Sequence, residues 1–494
     1  MDSYGKVGIF LRLNKWISST VAALLLASTI AVAPGHAEEE RTIVDESIYD
    51  VLVDRFFNGA GANDEGVDTQ DNTKFNGGDF VGLTSKVDFI AKLGHTIVSV
   101  GSVFPTERYD GGQITSYEGF EPHFGTEAEF VEMVDTYNKK NIGIIVDFPL
   151  SNVSVNHDWA TTADKAQWVK STADGFAQFD TTNEELQAAL IEQVISFVEK
   201  YDVAGVRLTN IEGIDTAFLN DVIAALKQKD LYVLTNSESD ANFDAQIIAD
   251  MPQLFADSYK NVDLSAEALI DTVLTDKPTL IQFDTLWSDR ITAAVMSDEG
   301  NHYPPNRLPL VYAASLLLPG TPVTTYGSEI GMNGAAGPES HQLYNFKTND
   351  ELIAMIENLH TLRNSSETLR TGEVEILKNE NGFLTFKRES ADETWIIVVN
   401  NTSKTDRVDI PVEVLGKDKE ITGMFESEIV RANKEGNYTI ILDREMFEVY
   451  QVKDDRGLNK SYIIALGIVY AAFTAFVIII VKRGRKRRAE DAAK

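Results

Sequence analysis

The chain has 494 residues, 43% of them hydrophobic, enough for about three domains with sizeable buried cores, and wholesale disorder is excluded. Its 44 Lys and Arg face 76 Asp and Glu, so the formal charge is −32; phosphate backbones and anionic lipid repel such a chain, which excludes nucleic-acid binding as a main role. There are no cysteines, so disulfides, thiolate nucleophiles and Cys-ligated zinc or iron–sulfur sites are excluded, and any chemistry falls to carboxylates, histidines, hydroxyls and hard metals.

Lys6, Arg12 and Lys15 precede an apolar run over 16–32, and Gly35-His36-Ala37 then offers small residues where a signal peptidase reads them. Residues 1–37 are read as a signal peptide. From 45 to 330 short β-branched runs alternate with helical patterns. The spacing predicts strands at 47–56, 96–100, 142–148, 204–208, 231–234, 279–283 and 323–326, with helices at 80–93, 127–140, 183–201, 214–227 and 308–318. Seven or eight βα units over about 300 residues favour a closed (β/α)8 barrel. A doubly wound open sheet is the alternative, but no Gly-rich phosphate loop follows any strand.

Beyond residue 363 the period shortens. Alternating runs at 374–377, 383–388, 394–400, 407–410, 420–423, 438–442 and 446–452, separated by turn residues, predict a small β-sandwich. A polar stalk, 453–461, leads to twenty uncharged residues at 462–481, long enough as a helix to cross about 30 Å of hydrocarbon. Lys482-Arg483-Gly484-Arg485-Lys486-Arg487-Arg488 follows and by the positive-inside rule stays cytoplasmic, so residues 38–460 face outward from a single-pass anchor in the plasma membrane. Between 38 and 481 there are 34 basic and 73 acidic residues, a solubilising surface with affinity for divalent cations in a polyanionic cell wall.

The segments closing the expected barrel strands carry a resemblance. Phe75-Asn76-Gly77-Gly78-Asp79, Phe124-Gly125-Thr126, Gly143-Ile144-Ile145-Val146-Asp147-Phe148 and Tyr201-Asp202-Val203-Ala204-Gly205-Val206-Arg207-Leu208 come first. Leu317-Leu318-Pro319-Gly320-Thr321-Pro322-Val323 and Tyr326-Gly327-Ser328-Glu329-Ile330-Gly331 follow in order. Together they make residues 44–452 resemble the alpha-amylase family, glycoside hydrolase family 13. The resemblance implies a (β/α)8 barrel over 38–370 with a short excursion near 150–180, a C-terminal β-sandwich over 371–452, and retaining chemistry on α-linked glucans.

That chemistry needs a nucleophile and an acid/base about 5–5.5 Å apart, to which the family adds a third carboxylate. The resemblance places the nucleophile two residues after Arg207, where this chain has Thr209. It places the acid/base after the fifth strand, at Asn236, and the third carboxylate at Trp287, counting back from Arg290. None of the three is acidic. Rim segments differ too: Asp147-Phe148-Pro149-Leu150-Ser151-Asn152 keeps only the first region's aspartate, and Tyr109-Asp110-Gly111-Gly112 and Phe176-Ala177-Gln178-Phe179 stand in two further subsite segments. A Thr hydroxyl without a base, an amide and an indole cannot supply the proton transfer or the charge. Arg207 then needs a partner, for which Glu212 or Asp284 is the sequence's suggestion. Glu212, Glu238, Asp284 and Asp289, close in sequence to the vacated positions, also define the rival possibility of a relocated acid pair in a weakly active α-glucan hydrolase.

The segment 58–64 followed by Gly77-Gly78-Asp79 resembles the family's N-terminal calcium loop, implying oxygen ligands from Asn58, Asn63, Asp64, Asp79 and the Gly77 carbonyl, with Ala60 departing from the pattern. Trp287 is expected to fill space left by lost subsite residues rather than stack on a sugar. Trp159 and Trp168 lie in the excursion, and His95, His157, His302 and His341 lack metal-ligand spacing and read as structural. The expectation is a membrane-anchored, extracellular family member without hydrolytic chemistry that binds α-glucan or another cell-surface glycan, with a non-enzymatic surface scaffold as the further alternative.

Overall fold

Side chains alternate along a strand, so a residue two positions beyond an inward-facing one also faces inward. In the computed structural model, which describes residues 41–275, 277–297, 304–348, 350–455, 457 and 460–492, this alternation builds the centre of the molecule. The expected signal peptide at 1–37 lies outside the described residues. Eight strands, Ile48–Asp50, Ile97–Ser99, Gly143–Pro149, Gly205–Thr209, Tyr232–Thr235, Ala245–Ile247, Thr279–Ile281 and Thr321–Thr325, pair in parallel around a closed barrel in chain order. Ile48, Ile97, Ile145, Leu234, Leu280 and Val323 pack together as one buried cluster within it. Two residues further along each strand come Asp50, Ser99, Asp147, Asn236, Gln282 and Thr325, joined by Arg207 two residues after Gly205. The sequence thus sets a polar layer on an apolar floor, at the C-terminal end of the barrel where active sites of this architecture sit.

Three local readings are corrected. The run at 47–56 is a three-residue strand, Ile48–Asp50, followed by a helical turn, Val53–Phe56. The helix expected at 80–93 is two, Phe80–Ser85 and Val87–Leu93. Thr84 and Ser85 hydroxyls donate back to the Phe80 and Gly82 carbonyls, which competes with helix continuation and marks the break at Lys86. The sixth strand, Ala245–Ile247, was not expected: it has three residues with little β-branching, and no helix separates it from the fifth.

The excursion after the third strand is a three-stranded antiparallel sheet of Val153–Ser154, Phe176–Phe179 and Val169–Ala173. At the C-terminal side a six-stranded antiparallel sheet faces a two-stranded one, Asp406–Pro411 with Asn437–Leu442. Its strand Thr394–Asn400 is apolar on both faces for a reason: Trp395, Ile397 and Val399 pack against the helix Pro304–Leu317, whereas Ile396 and Val398 join Ile410, Tyr438 and Ile440 of the smaller sheet. The last helix, Lys460–Ala492, contains Ile463–Ala489, among the described residues the one stretch long and apolar enough to cross a membrane.

At the opposite end of the first strand, Ser47 Oγ lies 2.9 Å from His95 Nδ1 and 2.8 Å from His360 Nε2. Burial holds both imidazoles neutral, pushing His95 well below the usual histidine range and His360 down to about 3, with Arg363 adding to the effect. In the unfolded chain they titrate near roughly 6.5, so between the two values the unfolded state binds more protons and stability falls as pH falls. The slope is at most about 1.4 kcal/mol per pH unit for each histidine. Thermal midpoints measured from pH 7.5 down to 5 are expected to drop, and to drop less steeply in His360→Gln.

Candidate ligand-binding cleft at the barrel mouth

The polar layer opens into a cavity of about 340 Å³. Its floor holds Asp50, Asp147 and Arg207, its walls Ser102, Tyr109, Asp110 and Gly112 on one side and Asn236, Gln282, Thr285 and Trp287 on another, with Thr209 and Asn210 between. Asp147 and Arg207 are register partners on adjacent parallel strands, so their side chains emerge side by side on the inner face. Arg207 Nε donates to Asp147 Oδ1 at 2.7 Å and Nη2 to Asp147 Oδ2 at 2.9 Å, a bidentate pair; Nη2 also reaches Asp50 Oδ1 at 3.1 Å. Gln282 Nε2 steadies Asp50 Oδ2 from 3.5 Å and donates to Thr325 Oγ1 at 2.9 Å.

Burial works against the Arg207 charge, but Asp147 and Asp50 outweigh it and hold the guanidinium above its ordinary value. Burial also raises Asp147, with Arg207 opposing and Asp50 adding to the rise. Arg207 therefore stays cationic, and its partners are Asp147 and Asp50. This corrects the sequence suggestion of Glu212 or Asp284, because Asp50 closes a strand that is remote in sequence and its inward direction is set by the barrel.

The four acids considered for a relocated pair all lie off the mouth. Glu212 accepts from Ser237 Oγ at 2.6 Å, and it and Glu238 line a separate cavity of about 600 Å³ on the barrel's flank. Glu238 accepts from the Ala249 N–H. Asp284 is buried, accepts from the Ile291 N–H and Ser328 Oγ at 2.7 Å each, and stands 3.9 Å from Arg290. Burial raises its pKa against the pull of Arg290 and both hydrogen bonds. Asp289 accepts from the Ala336 N–H and lines another cavity beside Arg290. The carboxylates that line the mouth are Asp50, Asp147 and Asp110, the last held by Arg108 and the Gly112 N–H.

Thr209 is buried at the end of the fourth strand, and Asn236 closes the fifth with its Oδ1 unpartnered. Ser102 Oγ, also in the cavity wall, is buried and unpartnered. Sequence reasoning missed Asp50, Ser102 and Asn210; their one signal was position, at or just beyond the C-terminal end of a strand. Trp287 overturns its expected role: its side chain does not fill the pocket but stands 52% exposed on the rim. Its ring meets His341 edge-on at 6.0 Å, and His341 is fixed by the Tyr109 hydroxyl and the Leu286 carbonyl. Trp159 and Trp168 are buried against each other inside the excursion. His95, His157 and His341 are buried in hydrogen-bonded positions, as expected of structural histidines, and His302 lies outside the described residues.

The oxygen-rich loop forms a second cluster. Asn58 Nδ2 donates to both oxygens of Asp64, and a methyl group on Gly77 would sit 2.6 Å from Asn58 Nδ2 and 2.8 Å from Asp64 Oδ1. Asp79 caps the helix Phe80–Ser85 through the Gly82 N–H and accepts from the Gly59 and Ala60 N–H groups. Asn63 Nδ2 donates to the His123 carbonyl, and its Oδ1 is buried without a partner. Among the described residues no group of three His, Cys, Asp or Glu side chains converges as metal ligands; the oxygens here come mainly from amides and carbonyls.

An eight-stranded parallel barrel with its cleft at the C-terminal strand ends, a three-stranded excursion after the third strand and an antiparallel β-domain define a (β/α)8-barrel protein with an appended β-domain. The chain is similar to the alpha-amylase family in both its parts: residues 50–176 match "Alpha amylase, catalytic domain" and residues 372–450 match "Alpha-amylase C-terminal domain". A cyclomaltodextrinase of Geobacillus thermopakistaniensis is 24% identical over 429 residues, 76% of this chain and 72% of the relative. An Anoxybacillus alpha-amylase structure superposes with a TM-score of 0.80 at 29% identity, covering 85% of this chain and all of that one. An alpha-amylase from Geobacillus thermoleovorans, solved in complex with acarbose, gives 0.78 at 27%, covering 84% and 100%.

Proposed function

We propose that this chain binds α-glucan at the barrel mouth without hydrolysing it, and that it does so at a cell surface, exported by residues 1–37 and anchored by the helix within 462–481. The observation that carries the reading is the state of the cleft's carboxylates. Asp50 and Asp147 are bound to Arg207 and Asp110 to Arg108, while the positions that the family resemblance assigns to its acids carry Thr209, Asn236 and Trp287. No free acid faces a free base across the cavity, as general acid/base and nucleophilic catalysis would require. The relocated-acid alternative is disfavoured because Glu212, Glu238, Asp284 and Asp289 do not reach the mouth. The acarbose complex of the Geobacillus thermoleovorans relative supports a glucan-like ligand. The test is depletion of the full chain, in a detergent without a sugar headgroup, from solution by insoluble starch. Retention is expected, and unbound protein would favour the scaffold alternative.

Calcium is proposed at the 58–79 cluster. Asn58, Asn63, Asp64, Asp79 and the Gly77 carbonyl supply hard oxygens, and the orphaned Asn63 Oδ1 is the acceptor that a cation would satisfy. The ion would tie the 58–64 loop to the start of the helix at Phe80, a structural role for residues that do not line the mouth. Saturating calcium is expected to raise the thermal midpoint by roughly 5 °C over chelator. Asp64→Ala should abolish the difference, and equal midpoints in the parent chain would remove the site.

A further inference from the structure

The barrel mouth is not the only cavity that Trp287 lines. A trough of about 570 Å³ runs between the barrel rim and the excursion, bounded by Arg108, Asn152, Phe176 and Gln178, and it shares Gly112, Asn210 and Trp287 with the mouth. The two cavities therefore adjoin, and the indole stands at their junction. The turn that carries the indole is fixed, and the ring has a packing partner. The Trp287 backbone N–H donates to Thr285 Oγ1 at 3.1 Å, Ser288 Oγ accepts from the Thr285 backbone N–H at 3.0 Å, and the indole makes a T-shaped contact with the fixed His341.

The trough has polar edges held equally firmly. Arg108 is fixed by both oxygens of Asp110, so its guanidinium keeps one orientation although the side chain is 44% exposed. Asn152 and Asn210 both sit in the left-handed region, at φ 49° and 54°, a conformation that Asn tolerates better than most residues. Asn210 Nδ2 is tied to the Ser151 carbonyl at 3.1 Å. An exposed aromatic face flanked by amide and guanidinium groups suits a sugar ring, with apolar C–H faces and equatorial hydroxyls, better than it suits an apolar ligand.

We infer that Trp287 is a stacking platform over which an α-glucan passes from the barrel mouth into the trough beneath the excursion, so that the protein selects oligosaccharides of several units over short ones. This inference rests on the glucan-binding reading above. It assigns the indole a contact role at a position where the family resemblance calls for a carboxylate.

Calorimetric titration of the full chain with maltose, maltotriose and maltohexaose, in a detergent without a sugar headgroup, tests it. Affinity is expected to rise at least about tenfold from maltose to maltohexaose. Trp287→Ala should remove that gain, costing about tenfold or more for maltohexaose, while Trp287→Phe keeps most of it. Gln178→Ala should weaken maltohexaose and leave maltose unchanged. With the indole half in solvent, the Ala variant is expected to keep the parent's thermal midpoint, so a fold defect is separable from lost stacking. Binding without length dependence, or a gain that survives Trp287→Ala, overturns the platform and leaves the glucan-binding reading standing. No binding of any of the three sugars overturns both.

Discussion

The triple variant Thr209→Asp, Asn236→Glu, Trp287→Asp is expected to hydrolyse α-glucans where the parent chain does not. Thr209 and Asn236 each follow the register pair Leu208 and Thr235 by one residue, on adjacent parallel strands that lie about 4.8 Å apart. Carboxylates at these two sites would face one cavity at a separation compatible with the roughly 5–5.5 Å of a retaining pair. The floor beneath them is already built, with Arg207 fixed bidentately by Asp147. A new Asp at 209 would add negative charge to a site where Asp50 and Asp147 already outnumber Arg207, and the like charge would raise the pKa of a Glu at 236, as an acid/base requires. Release of reducing ends from maltohexaose is expected to exceed the parent's background by at least about 100-fold, and to be lost again when position 236 is returned to Asn. A folded triple variant without products would show that wider remodelling, at Tyr109-Asp110-Gly111-Gly112 above all, closes the chemistry.

The second large effect is on stability. Arg207→Met leaves Asp50, which is buried, and Asp147, which is partly buried, on the same polar floor without their cation. Removing one partner of a buried ion pair costs about 3–5 kcal/mol. The deficit should depend on pH with a definite sign. Burial already holds Asp147 above its ordinary value against the pull of Arg207. Without that cation it rises further above its unfolded value of roughly 3.9, so stability is lost as pH rises through the folded value and recovered as pH falls. Urea midpoints of parent and variant should therefore lie further apart at pH 7.5 than at pH 5, and Asp147→Asn in the variant background should narrow the gap. Equal midpoints at both pH values would mean that the triad contributes nothing to the fold.

The barrel was legible because its strands are β-branched runs spaced by helical patterns, and the polar layer could be located from strand ends. The sixth strand was not, since Ala245–Ile247 has neither the length nor the composition of its neighbours and no helix announces it. Arg207 was singled out correctly but given the wrong partners: Glu212 and Asp284 are near it or near the vacated positions in sequence, whereas Asp50 is brought to it by closure between the first and last strands. Proximity in sequence says nothing about which acids share a barrel interior, which is also why none of Glu212, Glu238, Asp284 and Asp289 lines the mouth: the first two line a separate cavity, Asp284 is buried and Asp289 lines another cavity. Trp287 was misjudged for a related reason. An indole is large enough to fill the space that lost subsite residues leave, but Trp287, carried by the turn at Thr285–Ser288, lines the mouth from its rim, where it remains 52% exposed.

On the proposed function, the mouth holds glucan without cleaving it. Prolonged incubation of the full chain with end-labelled maltohexaose in the presence of calcium, with products separated by chromatography, tests this most directly. The labelled sugar is expected to stay intact at every protein concentration. Shorter labelled sugars that accumulate in proportion to the protein, and that disappear in Asp110→Asn or in Glu212→Ala with Glu238→Ala, would contradict it.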